Sequence, residues 1–444
     1  MESSVQKFSQ HRLICLMAIH VDDLKIAGEA DVVKKVIARL QEVFGEMKLI
    51  WNDFTNCGVR HIQDPKTKEV TLDQIAYIAA LRPISMPELQ TAKNEDKCTT
   101  QLTTLYQSLL GAVAYASHTR VDACVFISAL QRHNTSPLII HVKCLNRLTR
   151  WLQRNPKRLR FARFGSGGGN FPEAKAFPGE HPTHLRNIGD AAFRREGDTG
   201  HALRGALFAR CPGSHLASFT SGCVGHILDY DCKGQRHVCR STFAAELLSA
   251  GDTIDKGLLL AQQMHEMLRG TLTAAAARNM RFDGGFCIPL ILYVDAMSVY
   301  AAVTATFIKT PAEKSLLCHI QFIRELLDRG VYQAMCWLDT RDMLADGLTK
   351  GCVDRSLLHL AMDGHFQFKH DVKVWTRKKG AVAQYETPTA EGDDKDLDAL
   401  FLSAAPFGPL GLRVPLPGPC VVRSAHHAPA QGAAGKARPA SAGT

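Results

Sequence analysis

The sequence predicts a multidomain protein of α/β and α+β type, in which mixed sheets are covered by helices and a disordered tail follows. The chain has 444 residues, and at about 150 residues per domain this length predicts more than one domain. Hydrophobic residues make up 45% of the chain and charged residues 22%, which excludes a fibrous or wholly disordered protein. Apolar strand-like runs alternate with helical segments, as expected for sheets packed against helices.

The hydropathy, the N-terminal residues and the cysteines of the sequence indicate where in the cell the protein is located. No apolar run reaches the ~18 residues that a membrane span needs, and the first residues, MESSVQKFSQHR, lack the design of a signal peptide. Fourteen cysteines are scattered without regular spacing, which in a long chain indicates reduced thiols rather than a disulfide framework. We therefore expect an intracellular protein, cytoplasmic or nuclear and not secreted, without a membrane partner.

Residues 1–95 form the first predicted part. Strands at 13–20 and 24–27 enclose a tight acidic turn. A helix at 30–44 follows, and its apolar stripe consists of Val33, Ile37, Leu40 and Phe44. Two more strands, near 55–62 and 70–72, flank the turn Asp64-Pro65-Lys66-Thr67. Asp73 is expected to cap the next helix.

Residues 96–164 form a basic helical connection. From Ala123 to Pro172 there are nine Lys and Arg residues and no Asp or Glu. One helix face is predicted to carry Lys143, Arg147, Arg150 and Arg154, with Lys157 and Arg158 following, opposite a face of Leu145, Leu148, Trp151 and Leu152. Two interpretations stay open: the basic face is merely solvated, or it binds phosphates, because releasing counterions favours such binding.

A Gly- and Pro-rich linker at 165–183 separates this connection from a second folded part at 184–352. Strands are predicted at 186–191, 202–209, 215–220, 289–294 and 331–338, and helices at 242–268, 315–327 and 343–349. A C-terminal extension at 353–387 precedes a disordered tail at 388–444, which holds eight of the 19 prolines and an acidic cluster.

Two groups of acidic residues are candidates for chemistry. Asp22 and Asp23 lie at a hairpin turn, where taken alone they are more often turn residues than ligands. Asp190, Glu246, Asp295 and Asp346 each lie at the end or edge of a predicted element. Converging carboxylates would hold two divalent ions ~4 Å apart for phosphodiester hydrolysis, and oxygen ligands favour Mg²⁺ or Mn²⁺. The alternative is four unrelated surface acids.

Several segments resemble one protein family. LMAIHVDDLKIAGEADVVKKVIARLQEVFGEMKL is similar to the catalytic hairpin and following helix of copia-type retrotransposon reverse transcriptases, and the segment from YQSLLGAVAYASHTRVDA to LTRWLQ resembles the connection after it. NIGDAAF, STFAAELLSA, ILYVDAMSV and DMLADGLTK resemble the ribonuclease H domain of the same polyprotein, in the same order. The resemblance covers about residues 11 to 350.

The resemblance implies a Pol fragment: the C-terminal part of a reverse-transcriptase palm and thumb at 1–95, then a ribonuclease H-like domain at 184–352. Asp190, Glu246, Asp295 and Asp346 match the ribonuclease H tetrad, which implies two Mg²⁺ or Mn²⁺ ions and hydrolysis of RNA in RNA–DNA hybrids. Asp22 and Asp23 match the polymerase turn, with Asp22 the direct metal ligand.

Because only nineteen residues precede His20, we expect the polymerase part to be truncated and inactive alone. Expected partners are RNA–DNA hybrids, retroelement nucleic acid and the upstream Pol segments. The alternative function is a non-catalytic nucleic-acid-binding remnant of a decayed or domesticated element.

A cysteine and histidine cluster is a rival site. Its members are Cys223, His226, Cys232, His237 and Cys239. Four of them could surround Zn²⁺, but their spacing is not that of a zinc knuckle. Scattered side chains in a polar loop are the favoured interpretation.

Overall fold

The protein is mixed α/β. The computed structural model describes residues 3–9, 12–21, 23–164, 183–193, 202–213, 222–377 and 420–424. The predicted linker and most of the predicted tail lie outside these residues. Among the described residues, no helix is both long and apolar enough to cross a membrane.

The first sheet combines N-terminal strands with one from the C-terminal region. Its strands are β1 (Ser3–Ser9), β2 (Arg12–His20), β3 (Asp23–Gly28), β4 (Met47–Trp51) and β17 (Cys420–Ser424), in the order β1-β2-β3-β17-β4. Strand β17 corrects the prediction of a tail disordered throughout, since the pair Val421-Val422 carries high strand propensity.

Helix α1 (Ala30–Phe44) has the predicted bounds. Val33 and Ile37 are buried against the first sheet, as the apolar stripe predicts. Phe44 is 68% exposed, so the prediction that it belongs to the apolar stripe was wrong. It is the last residue of the helix, where the chain turns at Gly45.

The second sheet is antiparallel. It contains β5 (Asp53–Asn56), β6 (Val59–Gln63), β7 (Val70–Asp73) and β8 (Leu159–Phe161), in that order. The strand predicted near 55–62 is a hairpin, because Cys57 and Gly58 adopt positive φ angles of 47° and 69° and turn the chain. The next helix begins at Ile75, and Asp73 accepts a hydrogen bond from its backbone N–H at 3.1 Å.

A helical layer follows the second sheet. Its helices are α2 (Ile75–Ala80), α3 (Glu88–Thr91), α4 (Thr100–Tyr115), α5 (Cys124–Gln131) and α6 (Ile139–Arg154). In α6, Leu145, Leu148 and Leu152 are buried, which confirms the predicted apolar face. The basic side chains lie on the outer face, where Arg147, Arg150 and Arg154 are exposed.

The third sheet has six strands. They are β9 (Thr183–Ala192), β10 (Leu203–Pro212), β12 (His226–Gly234), β13 (Leu290–Val294), β14 (Tyr332–Leu338) and β16 (Val372–Thr376), in the order β12-β10-β9-β13-β14-β16. The first three strands pair antiparallel, β13 runs parallel to β9 and β14, and β16 is antiparallel to β14. The third strand predicted at 215–220 lies outside the described residues. Strand β12 forms from a segment predicted to be a loop, because its alternating polar residues suit an edge strand.

Helices cover this sheet. They are α7 (Thr242–Arg269), α8 (Ala274–Asp283), α9 (Met297–Thr304), α10 (Leu317–Asp328), α11 (Asp346–Thr349) and α12 (Ser356–Met362), with a small strand pair β11 (Cys223–Val224) and β15 (His365–Phe366). The predicted helices at 242–268 and 315–327 are confirmed within a few residues. The helix predicted at 343–349 is shorter, because a 3₁₀ turn at Thr340–Asp342 precedes it.

A histidine contact with a buried ion pair connects the helical layer to the helices of the third sheet. The Arg120 guanidinium donates to both carboxylate oxygens of Asp122 at 2.9 Å, and both side chains are fully buried. His359 of α12 lies 3.2 Å from Asp122. Apolar residues of both parts, including Val121 and Ile188, share one core. The parts on either side of the predicted linker therefore pack together.

Candidate functional site

Three of the predicted acids converge at one edge of the third sheet. Asp190 lies near the end of β9 and Asp295 directly follows β13. Because Tyr293 pairs with Ile188 in parallel register, Asp295 is level with Asp190. Glu246 projects from the first turns of α7. Carboxylate oxygens of Asp190, Glu246 and Asp295 lie within 4.8 Å of one another.

Local packing fixes these side chains. Ser241 caps α7 by accepting a hydrogen bond from the Ala244 backbone N–H at 3.1 Å, and Glu246 accepts one from the Ala191 backbone N–H at 3.1 Å. The Ser249 hydroxyl donates to the backbone carbonyl of Asp190 at 2.8 Å. Helix α7 is therefore tied to β9 at the site.

Asp190 is fully buried, and its two carboxylate oxygens differ. The Thr349 hydroxyl donates to Oδ2. Oδ1 has no hydrogen-bond partner among the described residues. A buried carboxylate oxygen without a donor is costly unless a cation balances it. Lys350 Nζ lies 3.6 Å from this oxygen, beyond hydrogen-bond reach, and the three converging carboxylates fit a bound cation.

The carboxyl groups of the cluster have raised pKa values. Burial, and then the charges of Asp190 and Asp295, raise the pKa of Glu246 to about 9. Burial and the charge of Asp190 also raise the pKa of Asp295. These are the effects expected when carboxylates share a site of low dielectric constant without a metal ion. The oxygen ligand set suits a hard divalent ion, and nothing in it selects one metal or a number of ions.

Asp346 lies beside this trio, at the start of α11. Helix α11 packs closely on β10 at Gly205, where a Cβ atom would lie 2.7 Å from Thr349 Cγ2. Burial and the charge of Asp190 raise the pKa of Asp346 to about 7. Its carboxylate is not among the three that converge within 4.8 Å. The structure thus brings all four predicted acids to one region but only three to one point.

Lys350 is a site residue that the sequence did not predict. Its ammonium nitrogen lies 2.5 Å from Asp346 Oδ1 and 3.6 Å from Asp190 Oδ1. Although burial opposes it, the neighbouring Asp190 and Asp346 raise the pKa of Lys350 above its ordinary value. The available signal was the four-residue spacing from Asp346, which places both on one face of a helical turn.

The polymerase-like pair is only partly described. Asp22 lies outside the described residues. Asp23 begins β3 and is half-buried. The preceding Val21 has a positive φ of 54° and is 87% exposed, which confirms a tight turn there. Asp23 is not one of the carboxylates that converge on the third sheet.

The basic face borders a groove. Lys143, Arg147, Arg150 and Arg154 line one side of it, and Met86, Leu89 and Trp151 contribute apolar surface. Within the described part of the chain, Arg147, Arg150 and Arg154 have no carboxylate partner.

Two basic residues that follow α6 are paired. Arg158 lies 3.3 Å from Asp73, and Arg160 forms an ion pair with Glu69. Acids of β7 and of the turn before it therefore neutralise part of the basic stretch. The sequence did not predict these pairs, because their members lie far apart along the chain.

The cysteine and histidine cluster does not form a metal site among the described residues. The His226 ring contacts the Ala162 carbonyl oxygen at 2.7 Å, and Cys232 contacts the Leu348 carbonyl oxygen at 3.0 Å. Cys239 contacts the Gln235 side chain at 2.5 Å. The favoured interpretation of scattered side chains agrees with these separate contacts, although some lie on strands rather than in a loop.

Fold and cluster together define a mixed α/β protein with a buried carboxylate site able to hold a metal ion. Comparisons with protein-family models, with curated proteins and with solved structures found no significant match.

Proposed function

We propose that this chain hydrolyses the RNA strand of RNA–DNA hybrids in a reaction that depends on Mg²⁺ or Mn²⁺. The observation that carries this proposal is the buried cluster of Asp190, Glu246 and Asp295, in which Asp190 Oδ1 accepts no hydrogen bond among the described residues. Three converging carboxylates have little structural use without a cation, and phosphodiester hydrolysis is one of the reactions for which such clusters hold metal ions.

The arrangement of elements supports the same proposal. The sequence pattern predicts three strands, a long helix, a strand, helices, a strand and a short helix at 184–352, where the resemblance to copia-type polyproteins implies a ribonuclease H-like domain. The described elements from β9 to α11 follow this order, with β12 as the third long strand and with strand β11 and helix α8 in addition. The acids lie where the matching motifs fall, at the ends of strands and helices. In this reading the chain is a copia-like Pol fragment that retains its nuclease part.

Each residue has a part in the proposed site. Asp190, Glu246 and Asp295 would hold the metal, and Asp346 would complete the set. A bound divalent ion would polarise the phosphate and lower the pKa of the attacking water. Glu246 is held by the Ala191 backbone N–H and Asp190 by Thr349, so two ligands are oriented before any ion binds.

The basic face of α6 would hold the hybrid. Arg147, Arg150 and Arg154 are exposed, and arginine contacts to phosphates position a duplex without reading its sequence. A ribonuclease acting on hybrids of any sequence requires this kind of contact.

A non-catalytic nucleic-acid-binding protein is the second candidate. The contact of Lys350 with Asp190 and Asp346 favours it, because a lysine can neutralise buried acids that no longer bind metal.

The two candidates are separated by a cleavage assay with the full chain. We expect cutting of a labelled hybrid in Mg²⁺, none in EDTA, and much slower cutting of single-stranded RNA or duplex DNA. Asp190→Asn should abolish cleavage and retain hybrid binding. A wild-type chain that binds hybrid and never cuts it in Mg²⁺ or Mn²⁺ would favour the non-catalytic candidate.

A further inference from the structure

Lys350 brings a positive charge into the acidic site. It follows α11 directly, and its ammonium nitrogen lies between Asp346 Oδ1, at 2.5 Å, and Asp190 Oδ1, at 3.6 Å. Its side chain is 32% exposed, whereas those of Asp190 and Asp346 are 0% and 13% exposed. The lysine therefore reaches from the rim of the site to acids beneath it.

The position of this contact is informative. Asp190 is shared: it belongs to the trio with Glu246 and Asp295, and it also faces Lys350. Asp346 contacts Lys350 and lies outside the trio. Asp190 is thus shared between the trio, which could hold a cation, and the ammonium group of Lys350.

Resting on the proposed function, we infer that Lys350 is a positioning residue that takes the place of a second metal ion in the free protein. A first divalent ion binds to Asp190, Glu246 and Asp295. The ammonium group excludes another from the position between Asp190 and Asp346, because a divalent cation and an ammonium ion a few ångströms apart repel strongly in a buried site.

Substrate binding would then open the second position. The half-exposed lysine can turn toward the incoming phosphate, which is the stronger partner for a solvated ammonium group once its oxygens approach. Lys350 would thereby couple loading of the second ion to the presence of nucleic acid, and an idle site would hold no complete metal pair.

The test is a Mn²⁺ titration of the full chain without nucleic acid, read by electron paramagnetic resonance, which distinguishes isolated Mn²⁺ from a coupled pair. We expect isolated Mn²⁺ in the wild type and a coupled pair in Lys350→Met. Lys350→Arg keeps the charge and should resemble the wild type. The first ion should also bind at least ~10-fold tighter to Lys350→Met, since a nearby repulsive charge is gone. Lys369→Met, an exposed lysine outside the cluster, is the matched control.

Melting scans without and with metal provide a second test that remains valid if Lys350→Met is unstable. Lys350→Met should melt below the wild type without metal and recover in Mn²⁺, because only then are the acids neutralised. A coupled pair in the wild type, or isolated Mn²⁺ in Lys350→Met, would overturn the role of Lys350 and leave the proposed hydrolysis intact. Equal Mn²⁺ binding by the wild type and by Glu246→Gln would overturn the metal site, and the role of Lys350 with it.

Discussion

Glu246 shows how the cluster links proton and metal binding. In the metal-free protein its pKa is raised to about 9, so the side chain is protonated at neutral pH. A metal ion needs the ionised form, and its binding must release that proton. Affinity for the metal should therefore rise as the pH rises toward 9.

The same shift predicts how stability without metal depends on pH. The pKa of Glu246 is raised above its ordinary value of 4.5, so the folded state holds the proton more tightly than the unfolded state. Its favourable contribution is complete below about pH 4.5 and is lost as the pH rises toward 9. In EDTA the melting temperature should fall over this range more steeply for the wild type than for Glu246→Gln.

Glu46 is exposed, so Glu46→Gln serves as the control for that comparison and should leave the wild-type slope unchanged. Identical pH slopes for the wild type and Glu246→Gln would contradict the buried, repulsive environment assigned to Glu246.

Asp295 gives a second prediction on stability. Asp295→Asn keeps the shape of the side chain and removes one of the charges that repel in the cluster. We expect a gain of roughly 1 kcal/mol in EDTA, or ~2–4 °C in melting temperature. Asp283→Asn changes an exposed acid and should have no such effect. A marked loss of stability in Asp295→Asn would mean that Asp295 has a purely structural role.

The sequence places the three converging acids at the ends or edges of predicted elements, but spacing alone left four unrelated surface acids as the alternative, and only the family resemblance singled them out. Sequence reasoning missed Lys350 for a physical reason. A lysine beside one acid is an ordinary surface pattern, and only the approach of α11 to β10 at Gly205 brings it to Asp190 as well.

In the proposed function, nucleic-acid binding depends on the basic face of helix α6. Charge reversal at Arg147 and Arg150 should weaken hybrid binding similarly for all sequences and reduce the salt dependence by about one unit of slope per lost phosphate contact. Binding is measured as a function of salt concentration with the full chain.

Two further variants sharpen this experiment. Arg278→Glu reverses an exposed arginine on α8 and should have little effect. Arg158→Glu should affect binding less than Arg147→Glu, because Arg158 is already paired with Asp73. Unchanged affinity and slope in the α6 variants would show that this face is only solvated surface.

Long periodic elements were the most predictable ones. Helices α1 and α7 were predicted within a residue or two because each combines an apolar stripe with a clear end. The hairpin at Cys57 and Gly58 was missed because a two-residue turn interrupts an otherwise continuous strand pattern. Strand β12 was missed because its polar residues resemble those of a loop.

At the level of the whole molecule, buried Asp122 pairs with Arg120 in its own part of the chain and contacts His359 of the other part at 3.2 Å. Although burial opposes it, hydrogen bonds from His359 and Arg120 hold the pKa of Asp122 at about 2. Asp122→Ala would leave the Arg120 guanidinium buried without its carboxylate, at a cost of ~3–5 kcal/mol. We expect a corresponding loss in urea unfolding.

The matched control is Asp53→Ala, which breaks the exposed pair with Arg60 and should cost less than ~1 kcal/mol. If the helical layer and the third sheet unfold together, both should lose stability in Asp122→Ala. If Asp122→Ala lowers the free energy of unfolding as little as Asp53→Ala does, Asp122 does not connect the two parts. The sequence could not predict the contact between His359 and Asp122, because the two residues lie more than two hundred positions apart.

The most direct test of the proposed catalytic centre is the rate at which Asp295→Asn cuts the RNA strand of a hybrid in saturating Mg²⁺, relative to the wild type. Losing one carboxylate ligand should remove several kcal/mol of transition-state stabilisation, so we expect a rate at least ~10² to 10³ lower. Asp283→Asn should cut at the wild-type rate. An Asp295→Asn chain that cuts the hybrid as fast as the wild type would contradict the assignment of this cluster as the metal site of hydrolysis.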